Sequence, residues 1–498
     1  MKLFVFSLFL ILSSLSTYAH IGSPDIFYEG NAGPYKIQAS IQPPDVVPGT
    51  AKIEVQVVEG RITKMTLQPI YYQYGSDGAP DADRAEQLVG TSNTFLGELW
   101  LMAFGSASVR ITLEGEKGIG STIVPVSALA TATRQMDRTT EIILIPLGIL
   151  LFAGLVTIMG VAVGQATAEP GSERLPDAKK RSRNTMLFFS VFLFGVLFFG
   201  KTWWDSVEAK YREYMYKPLF MQSEVSIWEK SGAATLVLHL QNRPWLERGI
   251  SDIVLDHDKL MHLFVIREDG QAFAHLHPQQ IDSSTYTTPL APMDKGKYFL
   301  FADIVHENGL GETLVDSVVL KVPVRAMARK DKDDSWLKND AHDSCHIQIT
   351  HQAQDSLKSK RLTRLTFRVT DSTGKAIQPE PYLGMAGHAV VLKKDRSVFI
   401  HLHPMGTVSM ASQNALASRV SGNVTLCNPL ADSLAQSTDT LGLVDQDKVS
   451  LMKQKKEANP GVITFPYSFP KAGEYWIWVQ VKTRNKIHTE RFLLSVPE

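Results

Sequence analysis

A histidine spacing that occurs twice constrains this chain more than any other feature. His262 is followed thirteen residues later by His275-Leu276-His277-Pro278, and His388 thirteen residues later by His401-Leu402-His403-Pro404. The copies are offset by 126 at every one of these positions, and they hold six of the fourteen histidines. Imidazole is the commonest protein metal ligand, so the pattern predicts a metal site built twice. A structural corner, with its imidazoles bonded to loop carbonyls, would be duplicated just as faithfully.

The spacing also predicts a geometry. Asp269-Gly270 between two β-rich runs signals a two-residue hairpin loop. Glu268 then pairs with Gln271, and His262 lies opposite His277. His275 is two residues away on the same strand and shares their face. The second copy has Asp395-Arg396 at the turn. Arginine resists positive φ, so a wider or different turn is expected there with the register unchanged. The expected metal ligands are His262, His275 and His277 in one copy and His388, His401 and His403 in the other. Imidazole suits copper, zinc, nickel or iron, and thioether favours Cu(I). Met261, Met385, Met405 and Met410 lie close in sequence, which puts copper first and zinc as the alternative, although methionine is also an ordinary core filler.

The repeat extends beyond the histidines. Gly296-Lys-Tyr-Phe-Leu-Phe-Ala matches Gly473-Glu-Tyr-Trp-Ile-Trp-Val, and each run precedes a last strand ending at Val322-Pro323 or Val496-Pro497. Repeat domains are expected at 219–325 and 341–498, joined by a charged linker at 326–340. The second repeat carries a polar insertion near 410–460, expected to be disordered or a small helical excursion. The two cysteines, Cys345 and Cys427, permit a disulfide in an oxidising compartment. Cys345 also lies among His342, His346 and His351, a lesser metal candidate. The first copy has no cysteine, which excludes a blue-copper constellation.

Upstream, residues 1–19 read as a secretory signal peptide. Cleavage would leave His20 at the new N-terminus, where amine and ring could chelate. Residues 20–135 contain alternating runs such as Tyr35–Ile41, Ala51–Val58 and Ser108–Leu113, as expected of a β-sandwich. Ile142 to Val163 is 22 residues without charge, and Asn184 to Trp204 is 21 with one charge, Lys201. A membrane-spanning helix needs about 20. Arg174, Lys179, Lys180, Arg181 and Arg183 in the loop 164–183 place it in the cytoplasm by the positive-inside rule. A juxtamembrane helix is expected over 205–218. The expected fold is mainly β: three immunoglobulin-like or cupredoxin-like sandwiches on a two-helix transmembrane hairpin. The expected location is the bacterial cytoplasmic (inner) membrane, with the soluble domains extracytoplasmic. Lys plus Arg and Asp plus Glu are 51 each, a balance that gives no reason to expect nucleic acid.

The run Gly33-Pro-Tyr-Lys-Ile-Gln-Ala-Ser-Ile-Gln-Pro-Pro with Val47-Pro-Gly-Thr resembles the YtkA-like and FixH-like extracytoplasmic β-domains of bacteria. Lys259-Leu-Met-His262-Leu-Phe-Val and Tyr382-Leu-Gly-Met-Ala-Gly-His388, each ending in His-Leu-His-Pro, resemble a motif of poorly characterised bacterial envelope proteins. Some of those are associated with copper or heavy-metal handling. These resemblances imply location and fold.

Together these features predict a membrane-anchored periplasmic protein that binds metal, copper first, for handling or delivery. The alternative is an envelope scaffold or assembly protein, docked on a partner, with structural histidines. His-Glu-x-x-His, Gly-x-Ser-x-Gly and phosphate-loop patterns are absent from the sequence, and an enzyme is not expected.

Overall fold

The computed structural model describes residues 25–91, 93–133, 136–165, 177–228, 230–242, 245, 252–325, 331–337, 348–352, 357–421 and 460–498. The expected signal peptide, His20, Cys345, Cys427, His342, His346 and most of the expected insertion lie outside these residues. The described chain is mainly β, in antiparallel sheets.

Binary patterning explains the N-terminal sheets. In Gly49–Glu59, Ala51, Ile53, Val55 and Val57 are buried, while Lys52, Glu54 and Gln56 between them are exposed. This is the period of a strand with one face on a core. One sheet runs Ile26–Ala32, Tyr35–Gln42, Gly49–Glu59, Thr94–Leu101, Glu86–Gln87. The other runs Asp83–Arg84, Ile62–Tyr71, Gly105–Gly115, Gly118–Ala128.

The two repeats share a sheet order. In the first, Phe273–Leu276 pairs with His262–Arg267, that strand with Gly296–His306, and the last with Gly311–Leu320. In the second the order is Phe399–Leu402, His388–Lys393, Gly473–Thr483, Lys486–Val496. Each repeat adds a smaller sheet, and its core fills the space between the two. Leu263 and Val265 face the first core with Leu236, Leu238 and Tyr286. Ala389 and Val391 face the second with Phe367, Phe465 and Tyr467.

Residues of opposite parity in the histidine strands face the other repeat. Phe264, Ile266, Phe273 and Phe301 of the first pack with Val390, Leu392, Phe399 and Trp478 of the second. The contacts are reciprocal, as in an isologous interface. Phe273 stacks on Trp478 at 5.1 Å, and Phe301 stacks on Phe399 at 4.1 Å. Burial on both faces is why these strands read as continuous apolar runs.

The hairpin register is the one that the spacing predicts, with Leu263 opposite Leu276 and Ala389 opposite Leu402. The first turn differs from expectation, and the second is wider than a two-residue loop, as expected. Gly270 N donates to Arg267 O at 2.8 Å, and Arg267 N to Ala272 O at 3.0 Å. The loop is therefore four residues built on a β-turn. The second hairpin has the same turn, with Arg396 at φ 65° where Gly270 has 69°. Partners across the interface account for the exchange. A Cβ on Gly270 would stand 2.6 Å from the Trp476 ring, whereas the Arg396 guanidinium lies 4.3 Å from the Phe299 centroid and 3.5 Å from Glu268.

Within the segment expected as a charged linker, the described residues 331–337 are built into the first repeat. Ser335–Trp336 pairs with Phe273–Leu276, placing Ser335 opposite His275. In the expected insertion, Met410–Val420 is helical, capped by the Ser409 side chain, which accepts from Ser412 N at 3.1 Å. That helix and the turn before it hold the N-terminal sheets. Arg419 Nε donates to Tyr72 O at 2.7 Å, Glu29 N to Met405 O at 2.8 Å, and Phe27 enters the second repeat's core.

Residues 130–216 form a separate unit of two helices. Arg138–Gln165 and Ala178–Tyr214 are each long and apolar enough to cross a membrane. They pack on each other through Phe152 and Phe194, with ring centroids 5.0 Å apart. The second runs unbroken past Trp204, so Lys179 to Arg183 and the expected juxtamembrane segment through Tyr214 belong to one helix.

Replacing Phe399 by alanine removes a fully buried ring from the inter-repeat layer and is expected to destabilise the fold by about 3–5 kcal/mol. Chemical denaturation of the full chain in detergent checks this. A loss below about 1 kcal/mol would mean that the layer is not tightly packed.

Candidate metal centre

The interface decides where the histidines go. His262 shares the parity of Phe264 and Ile266, and His275 and His277 share that of Phe273. All three therefore continue the inter-repeat layer at the open end of the hairpin. His388, His401 and His403 do the same from the other side. All six are buried, His275 and His388 completely. Within each triad, one nitrogen per ring lies within 4.8 Å of the other two. The two triads also face each other. Ring centroids within the triads are 4.5 to 5.3 Å apart. Across the repeats they are 5.6 Å for His262–His401, 5.7 Å for His275–His401 and 6.4 Å for His275–His388.

Hydrogen-bond partners assign the ring protons. His262 Nε2 lies 3.1 Å from Asp256 O, and His275 Nδ1 lies 2.9 Å from Gln480 Oε1. A carbonyl oxygen only accepts, so both of these nitrogens carry the proton. Gln480 is oriented by its own Nε2, which donates to Ser335 and, at 3.4 Å, to Thr489. The Tyr382 hydroxyl donates to Asp333 O at 2.9 Å, which leaves its oxygen, 3.3 Å from His275 Nδ1, to accept. His262 Nδ1 and His275 Nε2 then meet at 3.1 Å, lone pair to lone pair. His277 Nδ1 is 3.0 Å from Asp334, and its Nε2 has no hydrogen-bond partner. Three proton-free nitrogens thus converge. Two imidazole nitrogens bound to one tetrahedral ion at ~2.0–2.1 Å lie about 3.3 Å apart, close to the observed spacing.

The second triad repeats this scheme. His388 Nε2 is 3.1 Å from Tyr382 O, and His388 Nδ1 is 3.0 Å from His401 Nε2. His401 Nδ1 lies 3.4 Å from Asp303 Oδ2, and neither ring nitrogen of His403 has a hydrogen-bond partner. The orienting groups cross the interface: Gln480 of the second repeat holds His275 of the first, and Asp303 of the first faces His401 of the second. A ligand imidazole that donates its other N–H to an oxygen is the usual arrangement around protein-bound metals.

Burial keeps the rings neutral, as ligation requires. It lowers the pKa of His262, His277 and His403 to about 3, and drives those of His275, His388 and His401 well below the usual value. Burial also pushes the Asp303 carboxyl up to about 7.

Several groups at the site were not singled out from sequence. Asp334 binds His277, while Asp331 and Asp333 hold Lys259 at 2.6 and 3.4 Å. The charged run Asp331-Lys-Asp-Asp334 reads as solvated linker until its partners are in place. Asp256 and Tyr382 open matching two-residue turns closed at Lys259 and Met385. Their middle residues all have positive φ: His257 and Asp258, Leu383 and Gly384. His257 thereby enters the histidine cluster. Met261 points the other way, into the first repeat's core. It is no thioether ligand, because it alternates with His262 along the chain.

A family model described as a domain of unknown function (DUF8832) matches residues 229–321 and 342–428, which include both histidine hairpins. The match does not reach the N-terminal sheets and lends no support to the expected YtkA-like and FixH-like resemblance there. No curated protein matches the chain. Among solved structures, red sea bream transglutaminase is similar at 11% identity and a TM-score of 0.16, over 57% of this chain and 31% of that one. The BSP domain of a biofilm associated protein is similar at 6% and 0.14, over 99% and 70%. Dimeric latent PorU from Porphyromonas gingivalis is similar at 7% and 0.15, over 91% and 32%. The chain therefore spans about a third of the transglutaminase and of PorU, and likenesses at these scores carry no argument about function.

Lowered histidine pKa values give the metal-free fold a pH dependence of known sign. The unfolded chain binds protons near pH 6.5 and the folded one only near 3, so stability present above pH 6.5 is lost as pH falls below it. At pH 5 each such histidine costs about 2 kcal/mol. Thermal melting of the metal-free chain is expected to show a much lower midpoint at pH 5.0 than at 7.5. Equal midpoints would mean that the rings are solvated.

Proposed function

We propose that this chain is a membrane-anchored periplasmic protein that binds copper at its paired histidine triads, for metal handling or delivery. The observation that carries the reading is the lone-pair contact between His262 Nδ1 and His275 Nε2 at 3.1 Å. With their other nitrogens already donating to Asp256 and Gln480, the two rings repel unless a cation lies between them. The scaffold reading, in which the histidines are corners, leaves that repulsion uncompensated.

Copper is favoured among divalent ions because it heads the affinity order at an imidazole site. Zinc fits the same donors and is the alternative. The two apolar helices support a membrane anchor, and the signal-like N-terminus supports an extracytoplasmic site. In the delivery role the partner is another envelope protein that receives the ion. The triads are buried, so release to it requires the two repeats to part.

His403→Gln is the informative variant, since the backbone bonds of His403 to Gly406 survive the change and its ring nitrogens have no hydrogen-bond partner. The full chain is equilibrated with Cu(II) or Zn(II) in separate experiments, desalted, and assayed for bound metal. Wild type is expected to retain copper in preference to zinc. The variant is expected to bind at least tenfold more weakly, with its metal-free melting temperature nearly unchanged. A wild-type chain that emerges empty of both would contradict the reading, and preferential retention of zinc would replace the metal.

A further inference from the structure

Resting on the metal-binding reading, we infer that the two triads hold their ions as one coupled binuclear centre, and that His257 completes the second of its two sites.

Three observations converge. First, the triads are not separate. Ring separations across the repeats, 5.6 to 6.4 Å, barely exceed those within a triad, 4.5 to 5.3 Å. Ions bonded about 2 Å from their own nitrogens are then close neighbours in one chamber. Each triad's middle histidine is also positioned by the opposite repeat, through Gln480 and Asp303.

Second, the charge around the chamber suits two cations. Asp334 lies 3.0 Å from His277 Nδ1, Asp303 Oδ2 lies 3.4 Å from His401 Nδ1, and Asp331 and Asp333 lie beside them on Lys259. Carboxylates behind ligand imidazoles raise the basicity of the rings toward a bound cation.

Third, His257 has no counterpart in the second repeat, where Leu383 occupies the matching turn position. Its ring lies nearer the second triad, 5.7 Å from His388 and 5.4 Å from His403, than to His262 at 6.3 Å. The side chain is 3% exposed, and its Nε2 has no hydrogen-bond partner, with Asp256 Oδ1 at 3.9 Å. The first triad has Asp334 on His277 instead. The two sites therefore differ: three imidazoles beside a carboxylate in one, four imidazoles drawn from both repeats in the other.

The test is Cu(II) titration of the full chain, with bound copper counted and electron paramagnetic resonance integrated on the same samples. His257→Asn is compared with wild type, because asparagine accepts the positive φ of that turn. Wild type is expected to bind two ions per chain, with a spin signal well below total copper because the ions couple. The variant is expected to lose at least tenfold in affinity for one ion while keeping the other. Two ions with full, uncoupled signal would overturn the coupled centre. So would a single ion per chain, which would leave the metal-binding reading intact. Unchanged affinity for both ions in the variant would remove His257 from the site. A chain that binds no copper would sink the metal reading and this inference together.

Discussion

The structure of the site depends on one docking event, the face-to-face packing of the two histidine-bearing sheets. Phe273 on Trp478 and Phe301 on Phe399 form its apolar floor. The histidines are the next layer of the same interface. Because strand parity sends alternate residues to opposite faces, the strands that bury Leu263 and Val265 in one core must deliver His262, Phe264 and Ile266 to the other repeat. The histidine cluster and the repeat interface are thus one construction, and loosening the floor should disturb the triads above it.

Electrostatics make that construction asymmetric in its demands. Neutral imidazoles are tolerable in a dry interface, since burial alone keeps them unprotonated. The carboxylates nearby are less so. Lys259 answers Asp331 and Asp333, and His277 answers Asp334 through its backbone N–H and its ring Nδ1–H. A backbone carbonyl, a primary amide and the Asp334 carboxylate orient the first triad. Asp303 faces the second triad, and burial pushes its carboxyl up to about 7.

Much of this was legible in the chain. The spacing of His262, His275 and His277 around Asp269-Gly270 yields the strand register, and the register yields the shared face. The repeat predicts two such faces. It does not predict that they meet, because the apolar residues that join them look like ordinary core residues. The turn departs from its sequence reading at Asp269-Gly270, where the loop has four residues rather than two; the wider turn expected at Asp395-Arg396 is present, and Arg396 takes positive φ there because its guanidinium has a ring and a carboxylate to rest on across the interface. Asp331 to Asp334 were hidden for the converse reason, since charge in sequence signals solvent until a buried partner is known. His257 sits outside the repeated pattern and left no periodic signal. Only the Asp256-His257-Asp258 run, a turn-forming composition, pointed toward it.

The central claim is that six inward-facing nitrogens without protons bind metal between the repeats. The most direct measurement is a crystal structure of the full chain grown with copper, with diffraction data collected on both sides of the copper absorption edge. The account predicts two anomalous peaks inside the chamber, one ~2.0–2.1 Å from nitrogens of His262, His275 and His277 and the other equally close to nitrogens of His388, His401 and His403. Anomalous peaks confined to surface residues, with the chamber's imidazoles bonded only to one another, would contradict it.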